Sequence, residues 1–201
     1  MSKGRFESFS DGVIAVAITL LVLNLTVPPP NQHRTLVHGL THMWPGYAAY
    51  ATSFITIGII WINHHVMLGR LRRPDHAIMM LNLLLLLTIG VLPFATHLMA
   101  VYLQQPHGEK LAAAVYAGAF LMMSIAFATL NFHILFAKAH LLTVELPHEE
   151  RRRILLRTLS GLAPYAIATA VAAISPYITL AMCAGIAVFY ATPLASSAQS
   201  A

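Results

Sequence analysis

Residues 5–27 read RFESFSDGVIAVAITLLVLNLTV. From Gly12 to Val27 the stretch is apolar enough to enter a bilayer, yet it begins in a crowded polar turn of Arg5, Glu7, Ser8, Ser10 and Asp11 that a plain anchor does not require. A hydrocarbon core of about 30 Å takes roughly 20 apolar residues per helical span. Six runs of that kind are present, at about 6–27, 43–66, 76–102, 111–140, 154–174 and 176–193. Only 9% of the 201 residues are charged and 58% are hydrophobic, with a mean hydropathy of +0.70. An ordinary soluble domain is about 25% charged. The residues therefore predict an all-α, polytopic membrane protein with six transmembrane helices. It forms a single domain over 1–194, with a small-residue tail at 195–201 expected to be disordered. Glu7, Asp11 and the length of the first run favour a retained span over a cleaved leader.

A net charge of +5 raises nucleic acid as a partner, but the placement of the basic residues argues against it. Lys3 and Arg5 precede the first run, Arg70, Arg72 and Arg73 follow the second, and Lys138, Arg151, Arg152, Arg153 and Arg157 lie between the fourth and fifth. The alternate loops hold only Arg34 and Lys110. By the positive-inside rule this bias puts both termini in the cytoplasm of a multi-pass protein, expected in a bacterial inner membrane. HEERRR at 148–153 reads as a juxtamembrane helix start at the level of anionic lipid heads, with Pro147 and two acids in its first turn. Cys183 is the sole cysteine, so no intrachain disulfide forms.

An ionised group inside a bilayer is costly and marks a functional site by default. All seven acids sit at or beyond the ends of the runs, and only Asp11 lies where a helix is entering the membrane. A proton- or sodium-coupled transporter wants an acid or a broken helix at mid-depth. The chain offers only Pro93 and Pro164, which read as tolerated kinks. Asn24, Asn63, His64, His65, Asn82, His97, Asn131 and His133 are uncharged polar residues suited to holding helices in register. No metal or cofactor is expected: His64 and His65 project about 100° apart on a helix, and no H-E-x-x-H pattern occurs. His38 and His42 give two ligands at most. Neither a G-x-S-x-G nor a paired intramembrane carboxylate is present, so an enzyme is not indicated.

On a helix of 3.6 residues per turn, Val16, Leu20 and Leu23 fall at i, i+4 and i+7, with Thr19 on the border of that stripe. Such a stripe alone reads as core packing. The polar turn below it changes the reading, because R5-F-E-S-F-S-D11 resembles the Arg-x-x-x-Phe-Ser-Asp signature of the lysosomal and prokaryotic potassium channel family, the transmembrane-protein-175 group. W61-I-N-H-H65 is similar to that family's Trp-x-x-His-His in span two, and N82-L-L-L-L with L92-P-F94 to its span-three pattern. The likeness covers about the first hundred residues.

The resemblance implies a homotetramer whose first helices line a central pore for potassium. Its apolar constriction falls on Val16, Leu20 and Leu23, and its pore threonine on Thr19. The first constriction position, often Ile or Leu in the family, is Val16 here, which implies a wider neck. A ring of four branched side chains makes a neck that water leaves readily, a gate without charge. Arg5, Phe9, Ser10 and Asp11, with Trp61, His64 and His65 from span two, are then the expected gating motif: Arg5 and Asp11 pair or exchange partners, and His64 or His65 meets Asp11. No Gly-Tyr-Gly filter is present, so only modest preference for potassium over sodium is expected. The rival readings are a secondary transporter of small cations and a non-conducting membrane subunit.

Overall fold

The computed structural model describes residues 2–28 and 35–192. Arg34 and the tail at 195–201, both of which enter the sequence argument, lie outside the described residues. Among the described residues eight α-helices follow one another: α1 (Lys3–Leu20), α2 (Leu36–His42), α3 (Trp44–Gly69), α4 (His76–Tyr102), α5 (Glu109–Phe132), α6 (His148–Leu159), α7 (Leu162–Val171) and α8 (Pro176–Ala191). No strand occurs among the described residues. Leu71 and Leu142 form one isolated antiparallel bridge.

Among the described residues five helical runs are long and apolar enough to cross a membrane: Lys3–Asn24, Trp44–Gly69, His76–Tyr102, Glu109–Ala137 and His148–Val171. The helix expected as the sixth crossing, α8, has 16 residues. At 1.5 Å per residue it is about 24 Å long, short of the usual core thickness.

Helix starts are set by local chemistry. Asp75 caps α4 by accepting from the Ile78 amide at 2.9 Å, and Ser175 accepts from the Ile178 amide to begin α8 at Pro176. Gly108 takes φ +88° immediately before α5, a backbone state open to glycine, with the Tyr102 ring close against it. The helix start at HEERRR is as expected, with Pro147 preceding α6 and Glu149 and Glu150 in its first turn.

The polar turn at Arg5–Asp11 is helical, in keeping with a first run from about residue 6; within it the Ser10 hydroxyl donates to the Phe6 carbonyl at 3.0 Å and Lys3 pairs with Glu7 one turn on at 3.6 Å. Two boundaries differ from the sequence expectation. At its far end α1 tightens into a 3-10 turn at Leu21–Asn24 and stops before Val27, the residue that precedes Pro28. The fifth span is divided between α6 and α7 by a turn at Ser160 and Gly161. Pro164 lacks an amide proton and crowds the carbonyl four residues back, at Ser160, so the break falls there.

The core is one continuous cluster in which Ile57, Leu85, Ile89, Tyr116, Phe120 and Cys183 are fully covered. α5 is the most enclosed helix, with α4, α7 and α8 packed around it, and α1 sits outside against α3 and α4. Lys3 bonds the Gly69 carbonyl, Asp75 pairs with Lys138, and Ser160 meets Tyr190. These contacts gather the start of α1, the ends of α3 and α5, and the end of α8 at one end of the bundle, where the basic loops also lie.

Candidate functional site

α1 is apolar all round, so the sequence does not say which face the protomer covers. Phe6, Ser10, Ile14, Ala17 and Leu21 are buried, a run at i, i+4, i+8, i+11 and i+15 that forms one face. Val16, Leu20 and Leu23 lie well around the helix from it and are 57%, 43% and 70% exposed. The stripe is therefore not core packing within the protomer. Thr19 is exposed beside it, and its hydroxyl donates to the Val16 carbonyl at 2.9 Å. With the proton committed to the helix, the oxygen lone pairs are what Thr19 offers outward, which suits a cation.

At the foot of α1 a chain of hydrogen bonds runs through three helices. His64 and Asn82 Oδ1 are 2.7 Å apart, Asn82 Nδ2 donates to Ser10 Oγ at 2.9 Å, and Ser10 donates to the Phe6 carbonyl. His64, Asn82 and Ser10 are all buried. With Asn82 oriented this way, His64 donates from Nε2, and its Nδ1 is left without a partner among the described residues. Beside this chain, the Trp61 indole N–H donates to Asp11 Oδ1 at 2.9 Å. A hydrogen bond to an ionised acceptor is worth about 1.5–3 kcal/mol.

The expected partners of Asp11 are corrected by this geometry. Arg5 and Asp11 form no ion pair among the described residues. Six residues apart on one helix, their side chains are rotated by about 240° and point to different sides. Neither His64 nor His65 bonds Asp11: His64 is turned to Asn82, and His65 is exposed with its ring 6.3 Å from that of Trp61. Trp61 and His64 are three apart on α3 and divide the work, one holding Asp11 on α1 and the other reaching Ser10 through Asn82 of α4. Phe9 is half exposed and borders a shallow apolar cleft with Val13, Leu83, Leu87 and Gly90, which places it against α4.

The sequence marks Asn82 as a register residue and as the start of the span-three pattern, but not as the link that joins His64 to Ser10. Of the other polar residues given that role, Asn24 donates to the Pro93 carbonyl at 3.0 Å and Asn131 to Thr158 at 2.7 Å. Asn24 thus pins the far end of α1 to α4, as Ser10 pins the near end. The spacing of Ser10 and Asn24, near opposite ends of one span, was the available signal.

Long apolar helices, a gathered basic end and a buried polar foot beneath an uncovered apolar face define an α-helical polytopic membrane protein. Residues 5–93 match the family described as the endosomal/lysosomal potassium channel TMEM175. A potassium channel of Streptomyces collinus is 39% identical over 188 residues, covering 94% of this chain and 91% of the relative. A potassium channel of Chamaesiphon minutus is 40% identical over 190 residues, covering 94% and 93%. The crystal structure described as a lysosomal potassium-selective channel TMEM175 homologue from Chamaesiphon minutus superposes with a TM-score of 0.82 at 38% identity, over 94% of this chain and 96% of that one. The chain belongs to the TMEM175 channel family. Its relatives are channels rather than enzymes, in line with the missing nucleophile and carboxylate patterns.

Proposed function

We propose that the chain is a passive, homotetrameric, potassium-permeable cation channel whose pore is lined by α1. The observation that carries this reading is the exposed apolar stripe of Val16, Leu20 and Leu23 on a helix packed along a different face. In the protomer the stripe is left uncovered. Four copies around an axis would enclose it as a neck that dewets when narrow and conducts when wide. Thr19, with its oxygen turned outward, supplies the polar ligand beside the neck, and the absence of cationic residues from Gly12 to Val27 disfavours anions. The named activity of the two bacterial relatives, each matched over more than nine-tenths of both chains, supports potassium as the permeant ion.

Trp61–Asp11 and the His64–Asn82–Ser10 chain hold the foot of α1, so a gating rotation of that helix acts against them. Two discrete positions of the foot require only a few kcal/mol between them, the scale of these bonds. The basic loops gathered at one end support cytoplasmic termini and an inner-membrane location, with α8 as the sixth crossing.

Potassium flux from liposomes carrying the purified protein tests the proposal. Leu20→Ala with Leu23→Ala is expected to raise flux while the tetramer persists. Unchanged flux in an intact tetramer overturns the neck, and saturable flux coupled to a proton gradient points instead to a transporter.

A further inference from the structure

A cleft of about 330 Å³ opens at the basic end of the bundle, lined by Val66, Gly69, Arg70, Thr143, Val144 and Leu146. Its floor is built by two loops zipped together. The Thr143 amide and hydroxyl both donate to the Arg70 carbonyl, at 2.8 and 3.0 Å, and the Arg72 amide donates to the Leu141 carbonyl at 2.8 Å. Leu71 and Leu142, on either side of this bridge, are buried in the core. The backbone of Arg70 is thereby fixed, whereas its guanidinium has no hydrogen bond or ion pair among the described residues.

That guanidinium is half-buried. Burial holds its pKa below the ordinary arginine value, with the charge of Glu150 opposing the shift. It remains a cation, and a partly desolvated one lacking a close counter-charge. The acid whose charge acts on Arg70, Glu150, forms no ion pair with it among the described residues, and Glu7 and Asp75 are paired with Lys3 and Lys138. Lys3 reaches the cleft rim through its 3.0 Å bond to the Gly69 carbonyl, and Arg151 braces the far wall through a 2.7 Å bond to the Leu146 carbonyl. The walls themselves are apolar and open, with Val66 and Val144 exposed.

We infer that this cleft is a binding site for an anionic phospholipid, its phosphate held by Arg70 and an acyl chain laid along Val66 and Val144. A guanidinium matches phosphate with two parallel hydrogen bonds, which a surface ammonium does not. Basic residues at a membrane boundary attract acidic head groups, and here the attraction is coupled to an apolar wall beginning at the end of a membrane span. A soluble anion would satisfy Arg70 but leave Val66 and Val144 uncovered. The inference rests on the chain spanning a membrane, and not on whether it conducts.

The test is native mass spectrometry of the intact protein in mild detergent with added phosphatidylglycerol, phosphatidylcholine or inorganic phosphate. Phosphatidylglycerol is expected to be retained at one molecule per protomer in preference to phosphatidylcholine. Arg70→Gln is expected to weaken that retention about tenfold. Lys110→Gln, at the other end of the bundle, leaves it unchanged. Val144→Ser, on the exposed wall, weakens it while leaving Arg70 and the charge of the cleft unchanged. Equal retention of the two lipids, wild-type retention by Arg70→Gln, or competition by inorganic phosphate at equal concentration overturns the site. So does cross-linking of Val144→Cys to a second copy of the chain, which makes the cleft a protein interface.

Discussion

On one side of α1, Ile14, Ala17 and Leu21 vanish beneath α3 and α4; on the other, Val16, Leu20 and Leu23 stand free. The two sides are chemically alike, all branched or small aliphatic residues, and nothing in their hydropathy separates them. The difference lies in their neighbours, and it divides the consequences of substitution. A change on the covered side costs packing and buried hydrogen bonds and is read as stability. A change on the open side leaves the protomer intact and is read in what passes along the helix.

The largest effect is expected where the covered side carries its polar chain. Asn82→Leu removes the acceptor for His64 and the donor to Ser10 and leaves both in a dry interior, at about 1–3 kcal/mol for each stranded group. The protein should lose thermal stability in detergent and yield little assembled material. Wild-type melting would mean that α1 is not held by that chain. Trp61→Phe is milder, because it deletes one donor to Asp11 at a partly exposed position and keeps most of the ring. A loss of about 1.5–3 kcal/mol is expected from whichever foot position makes the bond. Single-channel recording should show an altered open probability at an unchanged reversal potential. Asp11→Asn retains an acceptor but no charge, and should shift open probability in the same direction by less. A changed selectivity with normal gating would instead put Asp11 in the permeation path.

On the open side the expectation reverses. Leu20→Ala and Leu23→Ala should each alter the melting temperature little, in keeping with exposed substitutions of about 0.5 kcal/mol or less. Flux should rise about tenfold, equivalent to about 1.4 kcal/mol off the barrier at the neck. If either leucine proved as destabilising as Asn82→Leu, the stripe would be a packing face and the two sides of α1 would not differ in kind.

The membrane class and the helical runs were legible because bilayer thickness demands long apolar segments and the chain supplies them at regular intervals. The ends of those runs were less legible. Hydropathy does not register that the Ser10 hydroxyl keeps a polar foot helical or that Asn24 fastens a 3-10 turn to Pro93. The stripe could be drawn on a helical wheel, but its openness could not, since that depends on where α3 and α4 sit. The foot residues were recognised as a group through their pattern. Their pairing was not, because a carboxylate, an indole, an imidazole and an amide admit several satisfied arrangements. Only the relative height of Trp61, His64 and Asn82 chooses among them.

A region that touches neither side of α1 gives the smallest effect and serves as the reference for the others. Asp75 begins α4, and its carboxylate is held below the usual range, first by the Ile78 amide, which outweighs the opposing effect of burial, and further by the hydrogen bond and charge of Lys138. Because the folded value is the lower one, this contribution is complete above the ordinary carboxylate pKa and fades as pH falls through the folded value. Asp75→Ala should cost about 1 kcal/mol at neutral pH through the lost cap. The partly exposed pair with Lys138 adds only a few tenths. Asp75→Asn keeps a side-chain acceptor for the cap, so it should melt near wild type at neutral pH while lacking this acid-dependent loss. Comparing melting temperatures between neutral pH and about pH 3 for the three proteins isolates the effect. A wild-type acid response in Asp75→Asn would place the titrating group elsewhere. Potassium flux should be the same in all three at neutral pH, since the cap is remote from the neck and from the bonds at the foot of α1.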